Sequence, residues 1–461
     1  MSATTETPAT VSTTAPDVAE VQARLEAAGV RYAMAGFTDV HGRLKGKVVP
    51  IGHLPQMARG SELFTGAAVD GVPQEINDEE VAAHPDLARS FVLPWKKDVA
   101  YFPSTLYTEG KPFEAGARHI LQRQLDAAAE LGLTFNLGIE TEFFVLKDGP
   151  AGPAEVSERD TAEKPCYDLT TTLDNFGWLT ELVEAMDELG WDVYSFDHED
   201  ARGQFEIDFT YSDALTMADR VTFFRMMAGE IARKHGYFAS FMPKPFADRT
   251  GSGAHFNMSL ADLVTGENLF ATGEDPHGVG VSELGYHFIA GILRHAKAIS
   301  AVIAPTVNSY KRLVRQGSTS GSTWAPVFVS YGDNNRTNMI RVPSAGGRVE
   351  CRAADISCNP YLGAAMILAA GLEGVREHLD PGAPHRENMY EYSDAQVAEL
   401  GIDMLPRNLG EAVEEFQADS LSREVFGEAL YNSFIDLKRG EWDAYTAHVS
   451  SWETERYLKF F

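Results

Sequence analysis

Residues 138–146 read GIETEFFVL, and two glutamates, Glu140 and Glu142, interrupt an otherwise apolar and aromatic run. Such a composition predicts a β-strand, in which residues i and i+2 face the same way. The two carboxylates would then lie side by side against a hydrophobic layer, and something in the fold must answer their repulsion. The same period recurs three times. GQFEIDF (203–209) sets Gln204, Glu206 and Asp208 opposite Phe205, Ile207 and Phe209. GAHFNMSL (253–260) sets His255, Asn257 and Ser259 opposite Ala254, Phe256 and Met258, and RVECR (348–352) sets Arg348, Glu350 and Arg352 opposite Val349 and Cys351. An ordinary half-exposed strand turns its polar face to water, but these faces carry carboxylate, imidazole and guanidinium groups. Carboxylates with one histidine suit Mg²⁺ or Mn²⁺, hard cations that prefer oxygen; a soft metal would need thiols or several histidines. A dication would cancel the repulsion within GIETE, and neighbouring arginines suit phosphates. Metal plus arginine points to phosphoryl transfer from a nucleotide. No GxxxxGK[ST] loop is present, so the nucleotide must be held another way.

With 461 residues, 44% of them hydrophobic, the chain can bury a large core in two domains. A formal charge of -28 excludes nucleic acid and anionic membrane as partners through bulk electrostatics. Cys166, Cys351 and Cys358 form no paired framework, which fits reduced thiols in the cytoplasm. The Ala/Thr/Pro-rich start predicts a disordered tail over 1–16, without the apolar core of a secretory signal. No apolar run approaches the ~20 residues of a membrane span. A helix is expected at 17–28, two strands around His41–Gly42, and irregular chain over 51–114. Helices are expected at 115–132, at 179–190, from Ser212 or Asp213 to Gly236, at 284–303 and at 360–376. The pattern is α+β: a strand-rich N-terminal domain over 17–114 and a larger catalytic domain over 115–461.

In that order along the chain, GIETEFFVL, HEDARGQFEI, FMPKPFADRTGSGAHFNMSL, NSYKRLV, NNRTNMIRVP and RVECRAADISCNPYL resemble the blocks of glutamine synthetases. The resemblance runs from about residue 30 to the C-terminus. It implies an N-terminal β-grasp domain, a C-terminal glutamine-synthetase catalytic domain, and a dodecamer of two stacked rings with each active site between subunits. It also implies ATP, two or more Mg²⁺ or Mn²⁺ ions, and L-glutamate, whose γ-carboxylate is phosphorylated before an amine displaces the phosphate. Carried over residue by residue, Glu142, Glu199 and Glu206 match the ligands of one metal, and Glu140, His255 and Glu350 those of the second. Arg312, Arg352, Gly251 and His255 match the glutamate site. Arg336, Arg341 and Arg348 match the phosphate arginines, with Arg336 counted as catalytic. Asn257 and Ser259 match the nucleotide contacts, and Tyr167 a tyrosine beside the ammonium pocket. Tyr390 falls where some bacterial members carry a modified tyrosine.

The sequence departs from the family at the amine end. Where members carry Asp-Gly-Ser-Ser, this chain reads Asp70-Gly71-Val72-Pro73; Asp70 keeps the aspartate, and Thr65 is a rival position. Where the mobile flap carries a glutamate before Ala-Pro, Trp324 precedes Ala325-Pro326. Asn257 stands where many bacterial members have a second histidine. Losing hydroxyls and a carboxylate while gaining Val, Pro and Trp favours an alkylammonium, because a buried methyl is worth ~0.8 kcal/mol and a cation can rest on an indole. Glutamate–amine ligation with a short alkylamine such as methylamine is the first reading, with Trp324 as a substrate contact and Asp70 or Glu199 as the base. Glutamine synthesis from ammonia is the alternative, and a non-catalytic relative is a third.

Overall fold

The computed structural model describes residues 16–271 and 273–461. The expected tail, apart from Pro16, lies outside them. Helix Val18–Ala27 starts where the Asp17 carboxylate accepts the Ala19 and Glu20 amides. Strands Tyr32–Thr38 and Leu44–Pro50 then pair antiparallel about a turn at Gly42, whose φ of 72° suits glycine. Asp39 braces that turn by accepting the amides of His41 and Arg43.

The stretch 51–114 is irregular only in part, chiefly over 58–80. It contains strand Lys96–Thr108, which pairs in parallel with Tyr32–Thr38 and antiparallel with Val81–Pro85, within a seven-stranded sheet. Its residues Val99–Ser104 are all buried, so no apolar–polar alternation marks the strand in sequence. This sheet and the first helix enclose a core that includes Val21, Leu25, Phe37, Leu54 and Phe102.

Helix Ala117–Ala129 leads through Gly132, at φ 74°, into the elements that build the site. The expected single strand over 138–146 is two strands in two sheets. Leu133–Ile139 pairs with Phe256–Asp262 in a six-stranded sheet, whereas Thr141–Gly149 pairs with Gln204–Phe209 in a five-stranded one. Glu140 is the crossover. Its amide donates to the His255 carbonyl at 3.2 Å, and the Glu142 amide donates to the Gly253 carbonyl at 3.4 Å. The chain therefore leaves one sheet for the other while following residues 253–255.

Helices Phe176–Glu188 and Ala214–Lys234 match expectation, the second capped by Asp213 through the Thr216 amide. The helix expected at 284–303 breaks into Glu283–Arg294 and Ala296–Ile303 at His295, whose ring bridges Asp419 and Glu373. Asn359 caps helix Pro360–Glu377, and its side-chain amide donates to the Asp39 carbonyl at 3.0 Å. That bond fixes the N-terminal hairpin to the larger core. Among the described residues, no helix is long and apolar enough to cross a membrane.

Candidate active site

The polar faces converge. Glu142, Glu199 and Glu206 place ligand atoms within 4.8 Å of one another, and so do Glu140, Glu206 and His255. Glu206 belongs to both groups. The first set is the one expected from sequence. The second has Glu206 where Glu350 was expected, and the reason is electrostatic: Glu350 is buried, with its oxygens held by Arg341 and Arg352. It stays near the group, 3.7 Å from His255 Nδ1.

The buried Arg312 and Arg352 attract Glu142, yet repulsion still dominates at the other two members of the first set. Burial and the Glu142 charge push Glu199 up to about 8. Burial, with Glu199 and Glu140, raises Glu206 well above the carboxylate range, and burial and Glu140 raise Asp208 to about 7. His255 moves the other way, to about 3, through burial and the Arg352 charge. A neutral imidazole keeps a lone pair for a cation. Its Nδ1 lies 2.6 Å from Glu140 and its Nε2 3.6 Å from Glu142. The Gly253 amide donates to Glu142 at 2.6 Å, and the Asn257 amide donates to Glu140 at 2.9 Å. This oxygen-rich donor set with one histidine and mutually repelling carboxylates fits hard divalent cations.

Next to the second group lies a cavity of about 550 Å³ lined by Glu140, Asn257, Ser259, Arg348, Tyr194 and Tyr211. Arg348 is exposed and donates to Asn257 Oδ1 at 3.0 Å. The two tyrosines had no place among the sequence candidates. Opposite, Arg312 is fully buried and donates to the carbonyls of Ala353 and Arg352 at 3.2 and 3.1 Å. Gly251 must be glycine here, since a Cβ would sit 2.4 Å from the Pro243 carbonyl oxygen and 2.9 Å from Arg312 Cγ. Arg341 is part-buried on Glu350, whereas Arg336 is exposed on its loop.

Of the amine-end candidates, Trp324 and Tyr167 lie near Glu199, whereas Asp70 and Thr65 stand apart. Trp324 is half-exposed at φ 55°, and its indole N–H donates to Asp200 at 2.8 Å. Tyr167 is exposed at φ 66°; its amide donates to the His198 carbonyl, and the Cys166 thiol, burial and Glu199 push its hydroxyl up to about 12. Asp70 is exposed, 3.7 Å from His41, and Thr65 is exposed as well. Neither belongs to the carboxylate groups of its own chain. Tyr390 points inward and donates to the Ala325 carbonyl at 2.6 Å. Sequence reasoning passed over Asp200; the acidic run Asp197-His198-Glu199-Asp200, which ends strand Val193–His198 and enters the following loop, was the available signal.

Residues 114–457 match the model of the glutamine synthetase catalytic domain. The chain belongs to the glutamine synthetase family. Among its relatives, a glutamate–methylamine ligase of Methyloversatilis universalis is 44% identical over 96% of this chain and 99% of its own. A glutamine synthetase of Rhizobium meliloti is 41% identical over 93% of this chain and 97% of its own. A solved structure named GmaS/ADP complex superposes with a TM-score of 0.89 at 38% identity, covering 95% of this chain and 99% of that one. The two-sheet catalytic body is thus that of the glutamine synthetase family, and the fold as a whole matches that of the GmaS structure.

Proposed function

We propose that this glutamine synthetase relative is an ATP-dependent ligase that joins L-glutamate to methylamine, or a similarly short alkylamine, through γ-glutamyl phosphate. The observation that carries the reading is Trp324. Its indole stands on the flap, hydrogen-bonded to the residue after Glu199, where family members carry a glutamate. The greater identity to a methylamine ligase than to the glutamine synthetases supports it.

Glu142, Glu199 and Glu206, and Glu140 with His255 and Glu350, would hold two or more Mg²⁺ or Mn²⁺ ions, which when bound neutralise charge on the transferring phosphoryl group. Arg312 and Arg352, buried and pre-oriented, bind glutamate beside Gly251. Arg336, Arg341 and Arg348 gather the ATP phosphates, with Asn257 and Ser259 on the nucleotide cavity. Tyr167 and Trp324 border the amine, and Glu199 or Asp70 takes its proton. The exposure of Asp70 suits a site completed by a neighbouring subunit of a ring-shaped homo-oligomer, two stacked rings forming a dodecamer. The N-terminal domain ends near 114, and the enzyme works in the cytoplasm.

Phosphate release with ATP, Mg²⁺ and glutamate, compared across ammonium, methylamine and ethylamine, tests the proposal. Methylamine should exceed ammonium in kcat/KM by ~10–200-fold, the range one buried methyl allows. Trp324→Glu should shift the ratio toward ammonium. Preference of the unmutated enzyme for ammonium would leave glutamine synthesis as the function.

A further inference from the structure

Asp200 is a buried carboxylate, 9% exposed, that forms no ion pair with a cationic side chain among the described residues. Both side-chain donors to it come from one segment. The Trp324 indole N–H reaches its Oδ2 at 2.8 Å, and the Ser320 hydroxyl donates to the same oxygen. Its own amide donates to Glu199 Oε2 at 2.7 Å. One residue thus touches a carboxylate of the metal-type group on one side and the flap on the other.

The flap is pinned around that point. Arg352 donates to the Trp324 carbonyl at 3.1 Å, Tyr390 donates to the Ala325 carbonyl at 2.6 Å, and the Thr323 hydroxyl donates to the Val314 carbonyl at 2.6 Å. Trp324 itself sits at φ 55°, a left-handed conformation that a bulky residue keeps only when its surroundings impose it. Hydrogen bonds to a carboxylate are the strong kind.

We propose that Asp200 is a positioning residue for amine specificity: by accepting the indole N–H it latches Trp324, and with it the 316–326 flap, beside Glu199. The proposal rests on the alkylamine reading. Asp200 acts on the amine through the indole and does not itself receive the ammonium group. Its position next to Glu199 makes the wall of the amine pocket and the metal-type carboxylates a single rigid unit.

Four variants test this: Trp324→Phe, which keeps a ring and loses the donor; Asp200→Ala; their combination; and Asp200→Asn, which keeps an acceptor. The readouts are the methylamine-to-ammonium ratio in kcat/KM and hydrogen–deuterium exchange of peptides covering 316–326. Trp324→Phe and Asp200→Ala should each lower the ratio about tenfold, the worth of one hydrogen bond to a charged group, and the double variant should fall no further. Asp200→Asn, a neutral acceptor, should keep part of the bond and lower the ratio only about threefold, and flap exchange should rise more in Asp200→Ala than in Asp200→Asn. An unchanged ratio in Trp324→Phe overturns the latch even if Asp200→Ala fails to fold. Additive losses overturn it too, as does an Asn variant as impaired as the Ala variant, because the carboxylate charge would then be acting directly. If the unmutated enzyme does not favour methylamine, the alkylamine reading falls, and the exchange data alone decide whether the latch exists.

Discussion

Glu199→Gln should make the metal-free protein more stable and the metal-loaded protein less so. In the folded chain the Glu199 carboxyl is raised from 4.5 to about 8. A raised carboxyl contributes stability that is fully present below its ordinary value and is lost as pH climbs to the folded one. At pH 7 that loss is at most about 3 kcal/mol, taking 1.36 kcal/mol for each pH unit above 4.5. Glutamine keeps the volume and removes the loss. An ion at a thousand times its dissociation constant would return about 4.1 kcal/mol, so adding excess Mn²⁺ should bring the unmutated enzyme above the variant. The assay is denaturant unfolding at pH 5, 7 and 8.5, in EDTA and in excess Mn²⁺. In EDTA the unmutated protein should weaken from pH 5 to 8.5 more steeply than Glu199→Gln. A variant that is less stable in EDTA at pH 7, or Mn²⁺ that stabilises both proteins equally, would refute the account of repelling carboxylates held for a cation.

Glu350→Ala should cost about 3–5 kcal/mol in unfolding experiments, because it strands Arg341 and Arg352 without their carboxylate. Glu350→Gln should lose far less stability yet still turn over little, as phosphate release will show. Mixing Asp70→Ala subunits with Arg336→Ala subunits, each inactive alone, should restore activity if Asp70 completes a neighbour's site. Hybrids that assemble and stay inactive would count against shared sites or against Asp70.

Much of the site was legible because its chemistry is written at strand spacing. Glu206 and Asp208, or His255, Asn257 and Ser259, declare a common face two residues at a time. What periodicity could not show was the break at Glu140: both halves of GIETEFFVL have strand composition, and only the hydrogen bonds to Gly253 and His255 divide them between sheets. The strand at Lys96–Thr108 was hidden for a related reason, being covered on both faces across its middle. Around Glu140 and His255, sequence could not say that two arginines hold the nearby Glu350 while Glu206 reaches between both groups. The acidic run around Asp200 could have marked it as a candidate, but only the fold shows that a tryptophan more than a hundred residues later donates to it.

The crossover at Glu140 has a consequence for how this chain can vary in length. Strand residues advance about 3.3 Å each and alternate in facing. One residue inserted between Ile139 and Glu142, or between Gly253 and Phe256, would shift one sheet's contribution past the other's and turn half of the carboxylates away from the rest. A compensating change of residue type could not repair that, because the fault would be one of counting. Loops such as the one around Gly266, where added bulk meets nothing within 4 Å, carry no such restriction. In a library of single-residue insertions, the spans 139–142 and 253–256 should therefore form the two sharpest gaps among active clones.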